Sequence, residues 1–399
     1  MTWPTKNLRE LINKYFSGTW GDEPKDGGNA RVIRVSDIKP DYSIDYENVP
    51  IRRLKEKDLE KYRLQIGDIV VVKSSGNQTK IISGRAALFE YKGKEAYVPS
   101  NFLIALRPNH NLIIPMWLWV NLNSKAAKRF IELIIGATTY PNLKPADYLN
   151  LKIPVPPLPI QQKIVERLDA IRKAQELNDK QIELAEELFQ SLLHRELDPK
   201  GKKWEVRKIK ECLRSCQYGI SLKMNSQRIG YPILRINNLY NGEIDTSDIK
   251  YVEINREEFE KYKLEKGDIL FNRVNSYDLV GKTSIFNLED NYVFASYLIR
   301  LKTNSKLLLG EFLNYFLNSN PGQRAIKSKA RRAVSQANVN ARELESIKIP
   351  LPPLETQQKI VEKLSAVQEY KKKLLERKQK LQELFESVLD KSFKGELAE

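Results

Sequence analysis

Apolar positions near the end of each half of the chain recur every seven residues. In the C-terminal stretch Ile360, Val367, Leu374, Leu381 and Val388 keep this interval, with Leu364 and Phe385 at the second seam position. Nearer the middle Ile164, Ile171, Asn178, Ala185 and Leu192 repeat it, with Leu168, Ile182 and Phe189 between them. A strict 3.5-residue period predicts a coiled-coil seam rather than a helix lying on a globular core. About 35 residues rising 1.5 Å each give a rod of roughly 50 Å. Gln175, Asn178, Lys371 and Lys378 interrupt the seams; polar residues there cost stability and can fix register and partner. The simplest arrangement pairs the two helices antiparallel within one chain, which relates the halves by a pseudo-twofold. Pairing between chains is the alternative.

Each helix follows a proline-stiffened segment. Residues 153–168 read IPVPPLPIQQKIVERL and residues 349–364 read IPLPPLETQQKIVEKL, 196 residues apart. The prolines hold their neighbours extended, so a helix starts only after them, with Pro159 tolerated in its first turn. The repeat extends upstream. Residues 31–38 match 232–239 as a strand, 64–73 match 264–273, and 102–109 match 297–304. Gly67-Asp68 and Gly267-Asp268 are turn signals before a short buried strand. A helical stretch follows in each half, around 115–135 and 309–329, sharing Leu-Asn-Ser at 122–124 and 317–319. The reading is a mixed α/β fold with four segments: a domain over 1–152, a proline-rich entry with its spacer helix over 153–200, a second domain over 201–348, and a second proline-rich entry with its spacer helix over 349–399. Trp117-Leu118-Trp119 lies in an apolar helical stretch and reads as core.

Charge narrows the partner. With 67 Lys+Arg against 51 Asp+Glu the formal charge is +16, which favours a polyanion such as nucleic acid or an acidic membrane surface. No apolar run reaches the ~20 residues of a membrane span, and the N-terminus lacks a signal-peptide pattern, so the expected location is the cytoplasm. Two cysteines, Cys212 and Cys216, and two distant histidines indicate neither a zinc site nor a disulfide framework.

The two-half layout, the paired Gly-Asp strands and the duplicated proline–Gln-Gln-Lys-Ile stretch resemble the specificity subunit of type I restriction–modification enzymes, over nearly the whole chain. That resemblance implies two target-recognition domains, each reading one half of a bipartite double-stranded DNA target. Dissimilar loops imply an asymmetric target. It also implies that the helices act as a ruler and dock two methyltransferase subunits, with restriction/translocase subunits completing the assembly. S-adenosylmethionine, ATP and Mg would then belong to the partners, with no cofactor in this chain.

Two other readings compete: a self-dimerising basic DNA-binding scaffold, and a nuclease. Against enzymes in general, the chain lacks a GxxxxGK[ST] phosphate loop, and its Pro-Pro pairs are not an Asn-Pro-Pro-aromatic base-holding loop. Pro40-Asp41 with Glu90-Tyr91-Lys92 gives a nuclease-like pattern, but Glu-Tyr-Lys recurs at 369–371 inside the rod helix. Candidate DNA contacts sit at strand ends and loops. They are Arg34, Lys73, Ser75, Asn77, Lys80 and Arg85 in the first domain, and Arg235, Asn237, Asn238, Arg273, Asn275, Tyr277 and Lys282 in the second. Arg and Asn can pair bidentately with bases, whereas Lys and Ser more often hold phosphate. Lys327, Lys329, Arg331 and Arg332 with Gln336 form a second basic cluster. Its counterpart in the first half, residues 136–143, carries no charge.

Overall fold

A computed structural model describes residues 3–24, 27–74, 76–77, 80–135, 142–198, 201–332, 336–394 and 396, excepting the side chains of 76, 77, 80 and 332. Contacts divide the chain into two compact units, residues 1–177 with 378–399 and residues 178–377. The division falls inside the long helices rather than between domain and helix. Each unit therefore holds one α/β domain, the first half of the helix that follows it, and the second half of the other long helix.

In the first unit a four-stranded antiparallel sheet has the order Ile12–Ser17, Leu103–Pro108, Ile69–Val72, Ala86–Leu88. The central strand Ile69–Val72 is buried on both faces, which explains its unbroken apolar run. A three-stranded sheet orders Ile51–Arg52, Ala30–Ile33 and Tyr97–Pro99, the last pair parallel. Thr5–Asn7 pairs with Lys152–Pro154, so the first strand of the domain clasps the segment leading into the long helix.

The second unit repeats this plan. Its four-stranded sheet is Leu213–Tyr218, Leu298–Thr303, Ile269–Asn272, Thr283–Ile285. Its three-stranded sheet is Lys250–Val252, Tyr231–Leu234, Val293–Phe294, and Glu205–Lys208 clasps Lys348–Leu351. The paired turns agree in detail: Gly67 and Gly267 take φ of 92° and 87°, a conformation open to glycine. Asp68 and Asp268 then accept the amide N–H groups of Gln65 and Glu265 at 2.8 and 2.9 Å.

Each predicted helical stretch is two helices. Pro115–Leu122 and Lys125–Ile135 form the first pair, Gly310–Asn318 and Asn320–Lys329 the second. The shared Leu-Asn-Ser is the break between them. Ser124 and Ser319 accept the N–H of Ala127 and Gly322 and so cap the second helix of each pair. Asn123 and Asn318 each grip the edge strand, accepting from the Ala86 and Thr283 amides and donating to the same residues' carbonyls. Trp117, Leu118 and Trp119 are core, with Trp117 Nε1 donating to Pro154 O.

The long helices run Leu158–Leu197 and Leu354–Lys394, each roughly 60 Å at 1.5 Å per residue. Within the second unit they are antiparallel: Asn178, Glu186 and Glu196 of one meet Leu374, Lys371 and Lys363 of the other. In the first unit Gln175 bonds Gln382. The seam differs from a pure coiled coil at its ends. Ile164, Val165 and Leu168 belong to the first domain's core, as Ile360, Val361 and Leu364 belong to the second's. The far ends also pack on domains: Phe385, Val388 and Phe393 on the first, Leu193 and Leu197 on the second. That is why Leu193 is buried in place of the seam position Leu192; Lys378, in the middle of its helix, lies exposed.

Candidate nucleic-acid interface

In both units the central strand ends in a cation whose backbone is held from two sides. Lys73 N donates to Phe102 O at 2.9 Å, and Lys73 O accepts from Leu143 N at 2.7 Å. Arg273 N donates to Tyr297 O at 3.1 Å, and Arg273 O accepts from Val339 N at 2.9 Å. The chain leaving the strand is thus pinned by a segment that lies 15 residues ahead of the long helix in both units. In the first unit Ser74 bridges Asn142, and Gly76–Asn77 pairs with Lys80–Ile81 in a small hairpin. Ser75 and the side chains of Asn77 and Lys80 lie outside the described residues, as does most of the stretch 136–143.

In the second unit this pinning joins the two candidate clusters that sequence left separate. Val274–Asn275 pairs with Ala337–Asn338, which pairs in turn with Arg331–Arg332. Lys327 Nζ lies 5.4 Å from the centre of the Tyr277 ring. Arg273, Asn275, Tyr277, Lys327, Lys329, Arg331 and Gln336 therefore come from one small sheet and its flanks. Lys329, Arg331 and Gln336 are exposed. The Arg331 side chain stays 78% exposed although its Nε donates to Glu343 at 2.7 Å. Arg273 is half-buried, with its guanidinium 5.0 Å from the Tyr218 ring centre; the Arg332 side chain is outside the described residues. Lys282, half-buried, lines a cavity of ≈ 370 Å³ beside the helix pair, along with Lys327.

Other candidates turn inward. Arg34 forks onto Asp37, with Nη2–Oδ1 at 2.7 Å, and donates to Asn48 O. Arg235 instead donates through Nη2 alone to Asp248, at Oδ2 (2.7 Å) and the carbonyl O (2.9 Å). Asn238 is 2% exposed. Its Oδ1 accepts from Arg235 N, and its Nδ2 donates to the carbonyls of Asp245 and Asp248. Its carboxamide holds a turn and offers nothing to a base edge. Arg85 donates to Ile38 O, and only Asn237 of that turn is exposed. The nuclease-like residues have structural partners too. Glu90 pairs with Arg172 of the long helix at 2.6 Å, and Asp41 accepts from Ser43. Among the described residues no group of three His, Cys, Asp or Glu could hold a metal ion. Burial pushes the Cys216 thiol up to about 12, far from the range of a reactive thiolate.

Sequence reading passed over the residues that fasten domain to helix. The first Gln of each Gln-Gln-Lys-Ile, Gln161 and Gln357, is fully buried. Gln161 Oε1 accepts from Ile114 N at 2.9 Å, while its Nε2 donates to Leu112 O and Pro156 O. Gln357 repeats the set with Leu309 N, Leu307 O and Pro352 O, each at 2.9 Å. The signal was present in the duplicated motif, but not the reason for it.

Comparison with known proteins agrees with this architecture. The family model for the type I restriction modification DNA specificity domain matches residues 1–187 and 201–384. The chain is 38% identical over 164 residues to the type I restriction enzyme MjaX specificity subunit of Methanocaldococcus jannaschii, 41% of this chain and 39% of that protein. To the type I restriction enzyme EcoKI specificity subunit of Escherichia coli K12 it is 26% identical over 360 residues, covering 85% of this chain and 76% of the relative. Among solved structures, the type I restriction–modification S subunit from M. genitalium aligns over 98% of this chain and 96% of its own, with a TM-score of 0.63 and 16% identity. A chain from a type I R-M system studied for complex assembly and conformational transition gives 0.57 and 20% identity over 98% of this chain and 97% of its own. At such identities these two speak for the fold alone.

Proposed function

The chain belongs to the type I restriction–modification DNA specificity family, and on that premise we propose that it is the subunit that chooses the DNA sequence for a restriction–modification assembly. Specificity subunits are the non-catalytic members of such systems. Each domain reads one half of a bipartite, asymmetric double-stranded target, and the helix pair sets the unspecified spacer and docks two methyltransferase subunits. S-adenosylmethionine, ATP and Mg are used by those and the restriction/translocase subunits, in the cytoplasm. No helix of the described residues is long and apolar enough to cross a membrane.

The observation that carries this reading is the doubly built loop platform. In each unit the same central strand ends in a cation, and the same pre-helix segment pins it. Two copies of one architecture with different loop side chains suit two different half-sites. In the second copy Lys327, Lys329 and Arg331 supply phosphate contacts, and Arg273, Asn275 and Gln336 have the donor and acceptor groups to read base edges. Pairing of the heptads inside the chain weighs against the self-dimerising scaffold.

The test is an exchange of residues 1–150 for the matching part of a relative, followed by mapping of methylated bases in cells carrying the cognate methyltransferase subunit. One half of the modified sequence should change and the other stay. A change in both halves would mean that the domains read DNA jointly, contrary to this proposal.

A further inference from the structure

Three kinds of contact attach a domain to the long helix that follows it. On the helix side the apolar contacts are the same triplet in both units, Ile164, Val165 and Leu168 in one and Ile360, Val361 and Leu364 in the other. The polar contacts along the helix differ. At one position of the repeat, Arg172 of the first helix pairs with Glu90 of its domain. Gln368, 196 residues later and so at the same place in the repeat, accepts from Tyr315 Oη at 2.7 Å instead. Among the polar contacts, what does not differ is the buried carboxamide of Gln161 and Gln357.

Resting on the ruler reading above, we infer that Gln161 and Gln357 are twin positioning residues that fix the angle of each recognition domain against its own helix, and thereby the spacer length the protein accepts. A carboxamide is planar, with its acceptor and donors in set directions. Here it joins three segments: the loop that opens the domain's helical pair, the proline segment, and the first turn of the long helix. All three partners are backbone groups, so the loop side chains can vary without disturbing the joint. Apolar packing alone is non-directional and would leave the domain freer to tilt. The leverage is large. A tilt of about 6° across a domain of about 30 Å moves its far side by about 3 Å, the rise of one base pair.

Gln161→Met keeps the length and bulk of the side chain and removes all three bonds; Gln357→Met does the same in the other unit. Gln162→Met is the control, since Gln162 is exposed and bonds Glu166 one turn along the same helix. Each variant is produced with its methyltransferase subunit, and methylated bases are mapped genome-wide beside the wild type, with circular dichroism and thermal unfolding to check the fold. The expected result for either buried variant is unchanged half-site sequences with about tenfold more modification at spacers one base pair longer or shorter, the scale set by losing an orienting hydrogen bond. The control should match the wild type.

A folded Gln161→Met or Gln357→Met with wild-type spacer stringency overturns the inference while leaving the ruler intact. A wild type that itself tolerates varied spacers overturns the ruler, and the proposed effect with it. If Gln161→Met unfolds, Gln161→Glu keeps the acceptor for Ile114 N–H and is read in the same way. Failure of both to fold would make the glutamine a folding determinant and likewise overturn a positioning role.

Discussion

Asp68 and Asp268 look interchangeable in sequence, each following a turn glycine, yet their surroundings differ. Asp68, with a side chain 1% exposed, receives both arms of Arg107 at 2.9 and 2.7 Å. Asp68→Ala should therefore cost about 3 kcal/mol, because it leaves a partly buried guanidinium without its partner; urea unfolding measures it. Asp268 has Arg300 and Lys302 only at 3.9 and 4.0 Å, and Arg300 donates instead to Lys263 O and Gln217. Burial then dominates, raising the Asp268 pKa and lowering that of Arg300. The folded chain consequently holds the Asp268 proton more tightly than the unfolded one. This contribution to stability is full below the ordinary carboxylate value and is lost as the pH rises through the raised one. Asp268→Asn keeps an acceptor for Glu265 N–H and should remove that dependence. Equal pH profiles for wild type and variant would contradict it. At the basic cluster, Arg331→Ala with Arg332→Ala should weaken binding to all DNA sequences. The slope of log K against log salt should fall by up to about two phosphate contacts. An unchanged slope would remove the cluster from the interface.

At the scale of elements, the seven-residue period was legible because it is local: each seam position follows from its neighbours along one helix. Where the helix ends meet the domains was not, since Ile164 and Leu168 fit a coiled-coil seam and a globular core equally well. Asn178 shows what the seam itself decides. It is 1% exposed, donates to Leu374 O at 3.0 Å, and leaves its Oδ1 without a hydrogen-bond partner. An unpaired buried polar atom is costly, so Asn178→Leu should raise the stability of the helix pair by about 1 kcal/mol. A lower helix melting temperature by circular dichroism would show that the bond outweighs the penalty.

For the whole molecule, the ruler predicts that length added to the helices is read out on DNA. One heptad inserted after Asp179 and another after Leu375 keeps the apolar seam in phase and lengthens the pair by about 10 Å. Duplex DNA advances about 3.4 Å per base pair, so the shift is roughly three base pairs, with about 100° of rotation around the helix. The folded variant should either modify sites with a longer spacer and unchanged half-sites, or lose specific modification where the rotation is not absorbed. Full modification at the original spacing, seen by genome-wide mapping, would show that the helices do not measure the DNA.

The sequence by itself determined the two-fold repetition, the strand that follows each Gly-Asp turn, the helix starts behind the prolines and the heptad seams. All of these arise from period, turn chemistry and steric exclusion within a few neighbouring residues. Only the tertiary structure decided which polar residues remain available. Arg34 and Asn238 are as basic or as amide-bearing as Arg331 and Gln336, but the former close turns against Asp37 and the Asp245 and Asp248 carbonyls, while the latter stay exposed. It also joined 273–277 to 327–338 through a strand pairing that no local pattern encodes. It gave Gln161 and Gln357 their place as well, because a carboxamide shows its worth only when backbone groups some fifty residues away are folded against it.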